Sequence, residues 1–230
     1  MAQLLHQRDA THKHLGATRR HMRLCRQYPG TRFLVDQIQL PYNVLKDKRA
    51  ATLKKREQRE DRCDNLIIID TLLDDRVRLT FRRCEEYDRF TPADPVLHRI
   101  FPEGKFGHIV NMSLRKEPDA VEQLAMRVED LGKGHALYPL AKELRTQVAA
   151  SRRAIGAYRE MVKQVKTSEA DEKIAQATLR RQYENNYLDA RKQLGKMRAE
   201  RLFPKLNSPP RPVQSVEENL VTEVAPARSR

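Results

Sequence analysis

Nine residues between positions 137 and 165 place the strongest constraint on what this chain can fold into. Leu137, Ala141, Leu144, Val148, Ser151, Ile155, Tyr158, Val162 and Val165 recur at alternating steps of four and three. That spacing is a period of 3.5, held for about four heptads, and it keeps one narrow stripe of a helix against a supercoiled partner helix. A second run, Ala175, Leu179, Tyr183, Tyr187, Ala190, Leu194 and Met197, also falls on one helix face. Between the two, Lys166-Thr167-Ser168-Glu169-Ala170-Asp171 interrupts the apolar pattern, and Ser168 with Asp171 three residues on resembles a capping box. The expectation is a helical hairpin over 135–206 that turns at 166–171.

An earlier stretch looks like a copy of this one. Ile100-Phe101-Pro102 closes residues 36–102 as Leu202-Phe203-Pro204 closes 135–206, and each stretch opens near a proline, Pro41 and Pro139. Similar units at a distance are the mark of an internal repeat. In the first unit Asn43 to Asp64 is charge-dense, with weak apolar marks at Val44, Ala51 and Leu53. Leu66, Leu73, Val77, Thr80, Cys84 and Tyr87 then share a helix face, which Ile67, Ile68 and Ile69 widen at its start. A turn at Asp64-Asn65 would make this unit a hairpin, because both residues are good N-caps. One unbroken helix also fits, and the isoleucine run has the β-propensity for a strand at 66–69. Thr91-Pro92-Ala93-Asp94-Pro95 breaks the helix, with Asp94 as N-cap and Pro95 at the first position of a short closing helix.

Residues 103–134 read as an insertion: a loop with Gly104 and Gly107, then a short helix from Pro118. That helix carries Val121, Leu124, Ala125, Val128 and Leu131 on one face, and Gly132 suits its C-terminus. Residues 1–35 form a basic arm, in which a short helix ended by the turn signal Tyr28-Pro29-Gly30-Thr31 also fits, and 207–230 form a proline-rich tail; both ends are expected to be disordered. The fold class is all-α: two tandem antiparallel helical hairpins forming an elongated four-helix bundle.

The tandem layout, with Asp94-Pro95 leading to Phe101-Pro102-Glu103-Gly104 and mirrored by Leu202-Phe203-Pro204, resembles a set of bacterial helical proteins with two long hairpins, each ending in Leu-Phe-Pro. The resemblance covers roughly residues 36–206. It implies the fold alone, because those proteins carry no known activity.

Charged residues are 33% of the chain and aromatics 6%, with no Trp, which favours solvated helices with narrow apolar seams over a thick core. The net charge of +14 is uneven. The arm (1–35) holds seven Lys and Arg against one acid, and 135–206 holds sixteen against eight. Such a balance suits nucleic acid, an anionic membrane or an acidic protein. Cys25, Cys63 and Cys84 are odd in number and widely spaced, so no disulfide framework follows. No window approaches a membrane span, and no apolar run of a secretory signal opens the chain. The arm is similar in composition to an organelle transit peptide, but cytoplasmic residence is the expectation.

Candidate chemistry is thin. His6, His12, His14 and His21 lie in the arm, where imidazoles in a His-x-His spacing can hold a transition metal, yet a solvated basic arm explains them as well. No Glu-x-x-His, the helical metal motif, and no Cys-x-x-Cys occurs. Asp70 and Asp74 lie one turn apart, as acid–base pairs do, and as carboxylates on any charged helix face do. The three Gly-Lys pairs lack the Ser or Thr and the upstream Gly of a phosphate loop. Cationic pairs at Arg152-Arg153, Arg180-Arg181 and Arg191-Lys192, beside Tyr183 and Tyr187, could neutralise phosphates. The tyrosines lie on the apolar seam, where they serve as core and not as stacking platforms.

The expectation is a non-enzymatic structural, scaffold or protein-interaction module with no cofactor, no metal and no small-molecule substrate. Its partner would be another protein or a second copy. The alternative is a basic protein that binds the nucleic-acid backbone through the second hairpin and the arm, with Arg152, Arg153, Arg180, Arg181, Arg191 and Lys192 as the contact residues.

Overall fold

The computed structural model describes residues 4–203, and these contain seven helices and no strand. They are α1 (Thr11–Gln27), α2 (Arg32–Phe90), α3 (Leu97–Ile100), α4 (Gly107–Val110), α5 (Glu117–Glu129), α6 (Pro139–Leu194) and α7 (Lys196–Leu202). The all-α expectation holds. The hairpins do not: α2 runs unbroken for 59 residues through Asp64-Asn65, and α6 for 56 residues through 166–171. The tail at 207–230 and Pro204 lie outside the described residues.

The reason both turns fail is a heptad phase that never slips. From Leu137, just before α6, the positions seven apart along that helix are Leu144, Ser151, Tyr158, Val165, Glu172, Leu179 and Asn186; all are buried except half-buried Tyr158. On α2 the matching series is Ile38, Leu45, Thr52, Arg59, Leu66, Leu73, Thr80 and Tyr87, buried apart from half-buried Arg59 and Tyr87. Polar residues occupy the middle of each seam, and a search for apolar periodicity loses the stripe there. Pro41 is likewise inside α2, although it lacks the N–H that would bond back one turn.

The described residues divide into two compact units. Unit 1 takes residues 4–47 and 173–203, and unit 2 takes 48–172. In unit 2 the two long helices pair antiparallel: Lys48 meets Asp171 at 2.8 Å, Thr52 Oγ1 meets the Ser168 carbonyl at 3.2 Å, and Arg76 meets Glu143. Ser168 is thus a polar seam residue facing α2, not a cap. Leu73, Val77, Phe81 and Cys84 of α2 form a core with Ala141, Leu144 and Val148 of α6 and with Leu137 just before it, and α5 adds Val121, Leu124, Ala125 and Val128. The expected α5, with proline in its first turn and Gly132 at φ 92° just beyond it, is present. Asp94 is not the cap of α3; the Asp88 carboxylate of α2 accepts the N–H groups of Val96 and Leu97 at 2.6 and 3.0 Å. Ile67 and Ile68 do not widen the buried face, being 57% and 59% exposed.

Unit 1 replaces the expected disordered arm with a packed helix. Helix α1 buries His14, Ala17, Thr18, His21, Met22 and Cys25. Of these, Ala17, Met22 and Cys25 join Leu34, Ile38 and Leu45 of α2 and Leu179, Tyr183 and Ala190 of α6 in one core. Helix α7 follows Gly195, whose φ of 74° ends α6 and whose missing side chain allows that backbone. Met197 faces away from the core, 73% exposed. The two Phe of the repeated endings are both core residues. Phe101 packs edge-on to Phe81 in unit 2, and Phe203 packs on His21, Tyr183 and Tyr187 in unit 1.

Candidate functional site

Charge separates the two units more sharply than fold does. The described residues of unit 1 carry sixteen Lys and Arg against six Asp and Glu, a net of +10, while unit 2, which is longer, nets +3 with twenty-five against twenty-two. Part of the positive charge of unit 2 is paired with its own acids. Arg56 bonds Glu169 at 2.5 Å, Arg49 bonds Glu172 at 3.2 Å, and Arg145 clasps Glu129 and Glu122. The Arg145 guanidinium holds the Glu129 carboxyl below its ordinary range, and Lys48 does the same for Asp171.

Unit 1 leaves its cations facing water. Helix α1 contains no acidic residue, and its outward positions hold Lys13, Arg19, Arg20, Arg23 and Arg26. The first four form no ion pair with the described residues, and Arg26 reaches only the Gln39 amide at 3.3 Å. At 100° per residue these positions spread over about 140° of the helix surface, a broad basic face opposite the buried one.

The six cationic residues singled out in the sequence are not one site. Arg152 and Arg153 are in unit 2, where Arg152 is bound by Asp119 at 2.8 Å and Glu122 at 3.2 Å. Arg180, Arg181, Arg191 and Lys192 are in unit 1. Eleven residues is close to three whole turns, so Arg180 shares a stripe with Arg191 and Arg181 with Lys192. Arg181 and Lys192 are exposed, Arg191 lies over the Tyr187 ring at 5.7 Å, and Arg180 approaches Glu184 at 3.9 Å. Tyr183 is fully buried, as its place on the seam requires.

Two cavities open in unit 1. One, of about 270 Å³, is lined by Gln7, His14, Lys173, Gln176, Ala177 and Arg180, with no carboxylate among the described residues of its wall. The other, of about 420 Å³, is lined by Arg26, Arg32, Val35, Asp36 and Gln39, where Asp36 offsets part of the charge. His14 and His21 were candidate metal ligands by sequence. Among the described residues no group of three His, Cys, Asp or Glu is arranged to hold a metal ion. His21 is instead a core group: its Nδ1 donates to the Leu202 carbonyl at 2.9 Å, and Asn186 Nδ2 donates to its Nε2 at 3.2 Å. Burial pushes its pKa down to about 4. Burial also raises the Cys25 and Cys84 thiols to about 12, which makes both poor nucleophiles at neutral pH.

No protein-family model, curated protein or solved structure matches this chain. The chemistry of its own side chains therefore carries any functional reading.

Unit 2 holds one further cluster. Asp70 and Asp74 of α2 meet Glu117 of α5, which is 2% exposed, and an oxygen of each carboxyl is buried without a hydrogen-bond donor from elsewhere. Burial first, then the two aspartates, raise Glu117 to about 9, so it carries a proton at neutral pH and can donate it to its neighbours. The Asp70–Asp74 pair was visible in the sequence; Glu117, distant along the chain, was not. Among the described residues no helix is long and apolar enough to cross a membrane.

Proposed function

We propose that this chain is a non-enzymatic helical interaction module: unit 2 is a self-paired helical support, and unit 1 docks an acidic segment of a partner protein. One observation carries this reading, the +10 charge of unit 1 with an acid-free α1 whose outward cations are unpaired. Uncompensated charge on a folded surface raises encounter rates with an oppositely charged partner and selects against like-charged ones. The ion pairs of unit 2 fit a support, since those of Lys48, Arg49 and Arg56 tie α2 to α6 within the fold.

A second reading follows from the same face. Lys13, Arg19, Arg20 and Arg23 share the outward face of α1, where they can neutralise phosphates, and binding of that kind depends steeply on salt. It has no stacking platform in unit 1 at Tyr183, which is core.

The test is fluorescence anisotropy of the full chain with a labelled poly-glutamate peptide, a short duplex and a short single strand, each at low and high salt. Tighter binding of the peptide, lost in a variant carrying Arg19→Gln, Arg20→Gln and Arg23→Gln, supports the protein-docking reading. Tighter binding of either nucleic acid selects the second. No binding to any of the three removes both.

A further inference from the structure

The smaller cavity of unit 1 has the chemistry of an anion site, and we propose that it binds a phosphate group. Its wall combines two cationic side chains, Lys173 and Arg180, with the amides of Gln7 and Gln176 and the ring of His14. Among the described residues every charge in that wall is positive. Glu184, the acid nearest Arg180, stands 3.9 Å away and leaves the guanidinium most of its donors.

His14 supplies the second, independent observation. The residue is wholly buried, and its Nε2 has no hydrogen-bond partner among the described residues. Its protonation state follows from Gln176. The Gln176 Nε2 donates to the Asp9 carbonyl at 2.7 Å, which fixes the amide orientation, and the same nitrogen sits 3.0 Å from His14 Nδ1. Two donors cannot face each other at that distance, so Nδ1 accepts. The Ala10 carbonyl, 3.4 Å from Nδ1, is then a long contact and not the proton's destination. The ring proton is on Nε2, a buried donor with no acceptor among the described residues. Burial also keeps the ring neutral by lowering its pKa. A buried orphan donor costs stability unless something accepts from it. A tetrahedral oxyanion held by Lys173 and Arg180 brings acceptors to the cavity that this ring lines. Arg suits such a ligand because its fork presents paired N–H groups to two oxygens.

The cavity holds a phosphate-sized group rather than a large ligand, since its volume is below that of ordinary small-molecule pockets. The phosphate can belong to a small monoester or to a nucleic-acid backbone, and the experiment separates them. This inference stands apart from the docking reading, because it uses the cavity and not the outward face of α1.

The full chain, with its histidine rings isotope-labelled, is titrated with inorganic phosphate at fixed ionic strength while the His14 ring signals are followed by NMR. A saturable shift of His14 is expected. Arg180→Gln should weaken it about tenfold or more, while Arg181→Gln, altering an exposed neighbour, should leave it unchanged. Both sites are surface positions on a long helix, and circular dichroism confirms that the variants fold. A nucleoside monophosphate that reproduces the shift assigns the site to monoesters; a duplex lacking terminal phosphates that reproduces it assigns the site to the backbone. No saturable shift with phosphate, or equal weakening by the two arginine variants, overturns the proposal.

Discussion

His21 of α1 and Leu202 of α7 are joined by a 2.9 Å hydrogen bond from the ring Nδ1 to the backbone carbonyl, across 181 positions of sequence. The bond fixes the tautomer. With the proton on Nδ1, Nε2 accepts from Asn186 Nδ2 at 3.2 Å, and Asn186 uses its other proton on the Leu34 carbonyl at 2.7 Å. Phe203 stacks on the ring at 4.3 Å and Tyr183 meets it edge-on at 5.3 Å. One imidazole thus ties α1, α2, α6 and α7 together. A second proton on it would point at the Asn186 amide, donor against donor.

Unit 1 should therefore be acid-sensitive. The folded pKa of His21, about 4, lies below its ordinary 6.5, so the unfolded chain binds the proton first. The stabilisation from neutral His21 is complete above pH 6.5 and is lost as pH falls from 6.5 toward 4. Amide hydrogen exchange of α1 and α7 should accelerate across that window. His21→Phe should reduce this pH dependence, leaving the share of the same sign that comes from buried His14, while lowering stability at pH 7. A flat exchange profile in the wild type would contradict the burial argument.

The buried network also predicts a mutational cost. Asn186→Ala leaves the Leu34 carbonyl and His21 Nε2 without a donor inside the core. Each orphan costs about 1–3 kcal/mol, so a total near 3 kcal/mol is expected in urea unfolding. Gln182→Ala, which removes only a partly buried contact to Asn186 Oδ1 at 3.0 Å, should cost about 1 kcal/mol or less.

How much of this was readable in the sequence depends on which residues carry each stripe. Leu137 to Val148 and Leu66 to Cys84 are apolar, and both read correctly as buried helix faces. Thr52, Ser168, Glu172 and Asn186 occupy the same geometric positions, but their side chains resemble those of caps and loops. Their partners, such as Thr52 for Ser168 and Arg49 for Glu172, come from the other helix and are invisible along one chain. The basic arm misread for a similar reason. Its buried residues include His14, Thr18 and His21, which a hydrophobicity pattern scores as solvated. The signal that could have found α1 is the complement: five cations on one face and none on the other. The α1 cavity needed Lys173, Gln176 and Arg180 from α6, and no spacing rule links those to His14.

Unit 2 should respond to pH in the opposite sense. Glu117 has a folded pKa raised to about 9 from 4.5, so the folded state holds its proton while the unfolded chain gives it up. The stabilisation is complete below pH 4.5 and is lost as pH rises through 9. Glu117→Gln keeps the shape and the donor but removes the titration. It should match the wild-type Tm at pH 5 and exceed it at pH 8. Arg78, which holds Asp74 Oδ2 at 3.2 Å, stays in place in both.

The continuity of α2 gives the sharpest test of the fold. Asp64 and Asn65 are both exposed, in the middle of the helix. As interior helix positions they are poor choices, because their short polar side chains compete for the backbone. Replacing both, Asp64→Ala with Asn65→Ala, should stabilise a continuous helix by about 1 kcal/mol, since each residue is up to about 0.7 kcal/mol less favourable than Ala. If the chain instead turned there, the same change would remove a cap and cost about 1 kcal/mol. The sign of the shift in Tm separates the two. A rise is the expected outcome, because the heptad phase from Thr52 through Leu66 to Leu73 leaves no residue over for a turn.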